Sequence, residues 1–335
     1  MKDYSSIIVS SRVKLLRNLA VFKFPSMIDE EDGTKVLNKV AENVLSINPK
    51  FKIYKVKTLP ELDINVMREK KLVTSKLIDA FSYSAVILSR DESISIMINE
   101  SDHITEQCTI PGFNLVNAYD MISELDDQIV SKLDIAFDNT MGYLTSNISN
   151  IGTGLKAGIT MFLPALTING SIKELISKVQ VQGFEVNSLE DDYDNHTYFY
   201  TFSNSYTIGK KENEIVVRLT ELAIQISERE VKARKELLAF NKIDNITDTV
   251  FRAWGILTNC YKIGVEEAVK LLGEIKIGIA LDLLKLKDIN VIENLMVDIM
   301  PYSLTKISDS KISMADLDKY RAKFIASVLK SNRIK

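Results

Sequence analysis

Tyr143-Leu144-Thr145-Ser146-Asn147-Ile148-Ser149-Asn150-Ile151-Gly152-Thr153-Gly154-Leu155-Lys156-Ala157 is the stretch on which the reading of this chain turns. A glycine has no Cβ, so its backbone amide can approach an anion closely, and it enters left-handed turns at little cost. Gly152 and Gly154 therefore read as a phosphate-cradling loop or as a tight turn before a helix starting at Leu155, and the two readings are compatible. Just beyond, Ala157 to Ile168 is the longest apolar run. It contains Pro164 and falls short of the roughly 20 residues a membrane helix needs.

On either side of this stretch the patterns are mixed. β-Branched runs at Phe51 to Val56 and Ser93 to Ile98 predict strands, and amphipathic stretches at Gly33 to Ile47 and Gly112 to Leu133 predict helices. Val179 to Val186 and Thr197 to Ser203 alternate as paired strands, with the acidic segment Asn187 to Asn195 as an exposed loop between them. From Asn213 onward the period becomes helical, and Glu214 to Phe240 predicts a long helix bridging two domains. Ile246 to Thr258, Val265 to Leu272, Glu274 to Leu286, Val291 to Met300 and Ser313 to Leu329 follow as helices. The expected class is α+β, with a sheet-and-helix domain over 1–235 and an all-helical domain over 236–335.

With 335 residues, 46% of them hydrophobic, the chain can bury one large core or two smaller ones. Lys and Arg number 42 against 45 Asp and Glu, a net charge of -3 that argues against nucleic acid or an anionic membrane as partner. A small molecule or a protein fits better. Cys108 and Cys260 are too few for a disulfide framework and read as buried free thiols in a reducing cytosol. The opening Met-Lys-Asp-Tyr-Ser-Ser-Ile-Ile-Val-Ser-Ser-Arg lacks the apolar core of a signal peptide, so a cytoplasmic location is expected. Asp126-Asp127 and Glu190 to Asp192 are expected as solvated faces, without a protein-bound metal. His103 reads as a structural hydrogen-bonding residue, His196 as without a role, and Trp254 as a helix-packing anchor.

Five collinear motifs carry a resemblance. The quoted loop is similar to the Asn-Xaa-Gly-Thr-Gly-Leu-Arg-Ala segment of guanidino kinases, in which a reactive cysteine lies at the place of Asn147. Ser10-Ser11-Arg12-Val13-Lys14-Leu15-Leu16-Arg17-Asn18-Leu19 resembles the opening of bacterial protein-arginine kinases, and Asn99-Glu100-Ser101-Asp102-His103 resembles their Asn-Glu-Glu-Asp-His motif. Ser203-Asn204-Ser205-Tyr206-Thr207-Ile208-Gly209 and Phe251-Arg252-Ala253-Trp254-Gly255-Ile256-Leu257 resemble a later strand and the start of their helical domain. The resemblance implies a guanidino kinase catalytic-type domain, an antiparallel sheet flanked by helices, followed by a dimerising helical domain. It also implies ATP and Mg²⁺ as cofactors, if nucleotide binding is retained.

Moving a γ-phosphoryl group onto a guanidinium rests on positioning and electrostatics, which the family supplies with arginines and two glutamates. Carried over by resemblance, the nucleotide positions are Ser10, Ser11, Arg12, Val13, Lys14, Lys76, Thr105, Lys156, Ala157, Gly158, Gln182 and Gly183. Arg12 keeps its arginine, while Lys14, Thr105, Lys156 and Gln182 stand where the family has arginine, and Lys76 where it has histidine. Lysine cannot reproduce bidentate phosphate recognition, and threonine and glutamine bring no charge. The two catalytic carboxylate positions are Ser101 and Asn187. Glu100 and Glu185 are possible substitutes, although in an extended segment Glu100 and Asp102 would face away from the side to which Ser101 points. The family's phosphoarginine-binding Arg-Asp-Xaa-Xaa-Arg-Ala motif reads Leu317-Asp318-Lys319-Tyr320-Arg321-Ala322, without its leading arginine.

The expected function is that of a degenerate, catalytically impaired kinase acting as a regulatory or interaction module in protein quality control. The alternative is an active ATP-dependent kinase of protein arginines. By resemblance the partners would be a second copy in a homodimer, a zinc-binding activator, an AAA+ unfoldase, a heat-shock repressor or an active paralogue.

Overall fold

The computed structural model describes residues 4–79, 82–188, 198–239, 243–288, 290–308 and 312–334. His196 and Glu190 to Asp192 lie outside the described residues. β1 (Ile8–Arg17) sets the frame. Val13 and Leu15 are fully buried while Arg12 and Lys14 are only partly covered, the period-two signature of a strand with its core on one face. Burying side chains of this size stabilises by about 1.5–3 kcal/mol each.

The other strands are β2 (Lys52–Lys55), β3 (Ala85–Leu88), β4 (Ile94–Ile98), β5 (Ile104–Pro111), β6 (Phe137–Asp138), β7 (Gly142–Tyr143), β8 (Leu155–Phe162), β9 (Phe184–Ser188) and β10 (Phe199–Asn204). Eight of them form one sheet in the order β2-β3-β4-β5-β1-β8-β10-β9, with antiparallel pairing throughout, and β6 pairs β7 separately. The helices of this part are α1 (Glu30–Ile47), α2 (Glu61–Glu69), α3 (Ser75–Ile78), α4 (Leu115–Val130), α5 (Pro164–Ile168), α6 (Ile172–Val181) and α7 (Glu212–Ala239). Apolar stripes of α1, α4 and α7, such as Val36, Val40, Ala118, Ile122, Leu219 and Ile226, share one core with Val13, Leu15, Leu155, Ala157 and Ile159. On the opposite face α2 and α3 cover only the β3–β4 end, where Ile64, Leu72 and Leu77 pack on Val86, Leu88 and Met97. The central strands keep that face open.

The C-terminal part is helical: α8 (Ile243–Asn259), α9 (Val265–Ala280), α10 (Val291–Asp298), α11 (Pro301–Ile307) and α12 (Leu317–Asn332). They enclose a second core around Trp254, Leu257, Leu272, Ile292 and Ile325. This part packs on the sheet domain in two places. Phe162 and Phe199 meet Ile277 and Leu281, and the Glu69 carboxylate accepts from the amides of Tyr302 (3.0 Å) and Ser303 (2.6 Å) at the start of α11. A carboxylate at unsatisfied helical amides also complements the helix dipole. The fold is thus α+β, an antiparallel sheet flanked by helices with a helical C-terminal region.

Several expected elements differ. Leu155 opens strand β8, not a helix, because its alternating residues pair with both β1 and β10. The expected strand from Val179 is the end of α6 up to Val181, and the strand begins only at Phe184. Ile172, Leu175 and Val179 are the buried positions of that helix, at helical spacing. The two helices expected over Val265 to Leu286 are the single α9, ending at Ala280. Asp126, expected in solvent with Asp127, is buried and paired with Arg17 (2.7 Å).

Candidate functional site

The open face of the sheet presents Arg12, Lys14 and Leu16 from β1 alongside Lys156, Gly158 and Thr160 from β8. Two adjoining hollows form over these strands, of about 270 and 380 Å³, and both are lined by Lys14 and Lys156. The smaller also contains Arg12, Ala157, Gly158 and Asn187, and the larger contains Lys76, Glu100, Ser101, Asp102, Thr105 and Glu185. Most of the residues singled out in the sequence therefore converge on one cleft. Five do not, Ser10 among them: Ser11 bonds Gly112 O and Asn114 N on the core side, Val13 is in the core, Gln182 ends α6 and gives its carbonyl to Arg218, and Gly183 gives its carbonyl to Ser205. Ser10 pairs with Pro111 and Thr160 next to a β-bulge and lines neither hollow.

The charges in the cleft are unequal in their freedom. Lys156 Nζ is held by Glu185 (2.6 Å) and by the carbonyl of Asn204 (2.5 Å). The side chains of Arg12 and Lys14 have no hydrogen-bonding partner among the described residues, and Arg12 Nε is buried there without one. Burial lowers the Arg12 pKa from its usual value. Burial also pulls Lys14 down to about 8, helped by the Arg12 charge and opposed by Glu100. The hydroxyl of Thr105 is buried and unpaired, a further consequence of placing a short side chain at that position.

Glu100, Ser101 and Asp102 line the same hollow, contrary to the alternation expected of an extended segment. The reason is the bend between β4 and β5, where Asn99 takes a left-handed φ of 56° and the period-two rule lapses. Glu100 accepts from the Thr74 hydroxyl (2.6 Å) and the Ser101 amide (2.7 Å). Burial raises its pKa, but these bonds and the Lys14 charge outweigh burial and hold it below the ordinary value. Asp102 accepts from Asn18 (2.6 Å) and the Ser146 amide (2.7 Å), yet burial leaves it raised. The Ser101 hydroxyl lies 3.4 Å from the Lys76 ammonium and also supports the Glu100 carboxylate. Asn187 lies opposite Thr201 on the edge strand β9.

His103 sits behind this wall. Its Nδ1 accepts from Leu19 N (3.1 Å), which places the proton on Nε2, 3.0 Å from the Lys23 carbonyl, and burial pulls its pKa down to about 4. The glycine loop is held by Arg17, which donates to Thr153 O (2.8 Å) and forks onto Asp126. A Cβ on Gly154 would lie 2.6 Å from Leu16 O, so the glycine serves approach to β1. Asn147, which by resemblance stands at the cysteine position, caps a turn by accepting from Ser149 N (3.0 Å). Arg17, Asn18, Thr74 and Asn204 were not assigned roles from the sequence, although three of them lie inside the matched motifs. Their contribution is to buttress the loops, and spacing alone does not reveal that.

In the helical part, Arg321 is 2% exposed and donates to Ile299 O (2.9 Å) and Ile263 O (3.0 Å), with Asp318 as its ion-pair partner. Leu317 and Ala322 are buried. The Arg321 guanidinium of this phosphoarginine-type motif thus ties two chain segments together through backbone carbonyls.

Comparison with known proteins bears on this arrangement directly. The family described as ATP:guanido phosphotransferase, C-terminal catalytic domain, matches residues 33–233, and that described as Protein-arginine kinase McsB C-terminal domain matches residues 243–335. The chain is 34% identical over 331 residues to the protein-arginine kinase of Clostridium tetani, covering 98% of this chain and 97% of that one. It is 35% identical over 326 residues to that of Halothermothrix orenii, covering 96% and 93%. Among solved structures, the duplicated taurocyamine kinase of Schistosoma mansoni with bound transition state analog components shares the fold, with a TM-score of 0.62 and 21% identity over 69% of this chain and 34% of that one. Lombricine kinase does so with a TM-score of 0.59 and 16% identity, over 69% and 67%. The chain therefore belongs to the protein-arginine kinases, on the ATP:guanido phosphotransferase fold with their helical C-terminal domain.

Proposed function

We propose that this chain is a degenerate member of the protein-arginine kinase family, impaired in phosphoryl transfer to arginine and retained as a regulatory or interaction module. The observation that carries this reading is the placement of Ser101 and Asn187. Each lines one of the two hollows, which share Lys14 and Lys156, and neither can form an ion pair with a guanidinium or take its proton. A positioned general base contributes about 10²–10⁴ in rate, and a guanidinium is a poor nucleophile until it is oriented and deprotonated.

ATP with Mg²⁺ is the group the family implies, and the smaller hollow fits a phosphate chain: among the described residues Arg12 offers a buried Nε without a partner and Lys14 an unpaired ammonium. Among the described residues no cluster of three or more His, Cys, Asp or Glu stands ready for a metal, so Mg²⁺ would enter on the nucleotide phosphates. The bound nucleotide supplies the γ-phosphoryl group. Arg12 and Lys14 would hold the phosphates, while Lys156 is already committed to Glu185 and Asn204.

A second reading is favoured by one specific observation. Glu100 and Glu185 share the larger hollow with Ser101, so an active kinase of protein arginines could use them in place of the missing carboxylates. Thermal denaturation with saturating Mg-ATP, on wild type and Arg12→Ala, tests the proposal together with a search for acid-labile phosphate. Ligand at 100-fold over Kd stabilises by about 2.7 kcal/mol, which the variant should lose. Absence of a shift removes the nucleotide role, and acid-labile product moves the assignment to the second reading. The module role is tested by co-purification: capture of a second copy, of an active paralogue or of quality-control partners supports it, and an inert monomer refutes it.

A further inference from the structure

Lys14 stands at the junction of the two hollows, directly across from Lys156 in the β1–β8 register. Opposed ammonium groups disfavour each other, and here only one of them is neutralised. Lys156 has Glu185 and the Asn204 carbonyl. The Lys14 ammonium has neither a hydrogen bond nor an ion pair among the described residues, and the charged groups acting on it are Arg12, which opposes its charge, and Glu100, itself held by Thr74 and Ser101. Two positions earlier on the same face, Arg12 carries a buried Nε with no partner among the described residues. At the rise of a strand these residues are about 7 Å apart, the span of a small molecule whose reactive carbon and phosphate are separated by a few bonds.

We propose that Lys14 is a covalent capture site for small phosphorylated aldehydes: its Nζ attacks the carbonyl carbon, a carbon–nitrogen double bond forms, the carbonyl oxygen leaves as water, and Arg12 holds the phosphate. The step needs no oxidant or reductant and is reversible by hydrolysis. With its pKa near 8, about a tenth of Lys14 is free amine at pH 7, hundreds of times more than an ordinary lysine provides. A carbonyl electrophile therefore finds at one point both a nucleophile and an anion anchor, a pairing that an arginine at position 14 would not supply. The inference rests on the reading of the cleft as an anion site and deepens it.

The test uses the full chain and pyridoxal 5′-phosphate as probe, followed by borohydride reduction and peptide mapping by mass spectrometry. The expected result is one dominant adduct on Lys14, absent in Lys14→Arg, which keeps the charge but cannot form the imine. Arg12→Ala should lower its yield about tenfold at sub-saturating probe. Adduct at Lys14 that Mg-ATP fails to slow leaves the capture site standing and removes the nucleotide reading. Label scattered over surface lysines with Lys14 unmodified overturns the capture site, even where Mg-ATP still raises the melting temperature.

Discussion

By the resemblance, Ser101, Asn187 and Thr105 stand where charged side chains are expected, and Arg321 is an arginine of the phosphoarginine-type motif. Each is accommodated differently: Ser101 beside the Lys76 ammonium, Asn187 opposite Thr201 on the edge strand β9, Thr105 with its hydroxyl unpaired among the described residues, and Arg321 on backbone carbonyls. Arg321→Ala would strand two buried carbonyls and is expected to destabilise the helical part by about 3 kcal/mol in urea unfolding, with Arg321→Lys giving little rescue. Unchanged stability would free the guanidinium for a ligand after all. His103 gives a pH signature. Its folded pKa of about 4 lies below the unfolded value of about 6.5, so the unfolded state binds more protons between them. Stability from this group is complete above pH 6.5 and falls as pH drops toward 4, by about 3 kcal/mol in all. Urea midpoints measured across that range should fall less steeply in His103→Gln than in wild type. These substitutions were legible in the sequence because the motifs fix register; what each side chain touches was not, since Thr74, Asn204 and the carbonyls of Ile263 and Ile299 come from remote segments.

At the level of elements, the amphipathic helices were legible wherever apolar residues recur at three and four spacing over many turns, as in α1 and α7. The misreadings have physical causes. Val179-Gln180-Val181-Gln182 alternates like a strand, but three buried residues at helical intervals precede it and the helix runs on to Val181. At Leu155 the glycines suggested a turn into a helix, whereas strand pairing on both sides outweighs local preference. The bend at Asn99 likewise overrode alternation and brought Glu100 and Asp102 beside Ser101. Gly154 has a φ of 66° and no room for a Cβ beside Leu16 O. Gly154→Ala should cost about 2–4 kcal/mol in equilibrium unfolding, and a neutral result would mean that the loop has slack to move from β1.

For the whole molecule, the sheet domain and the helical part meet through α2 and α11, and through the aromatic contact of Phe162 and Phe199 with Ile277 and Leu281. Glu69→Ala removes the acceptor for two helical amides and the Ser303 hydroxyl. It should cost about 1–2 kcal/mol, and calorimetry should show the two parts melting less cooperatively; a single unchanged transition would place the coupling in the aromatic contact alone. Under the proposed function, such coupling would let nucleotide in the cleft be reported to a partner held by the helical part. The decisive measurement is transfer from labelled Mg-ATP to an arginine-rich unfolded protein, with acid lability separating phosphoarginine from hydroxyl esters. The account predicts folded, nucleotide-binding protein and no acid-labile product above background. Acid-labile phosphate that disappears on Arg12→Ala and on Glu100→Gln would contradict it and establish a working kinase built on displaced carboxylates.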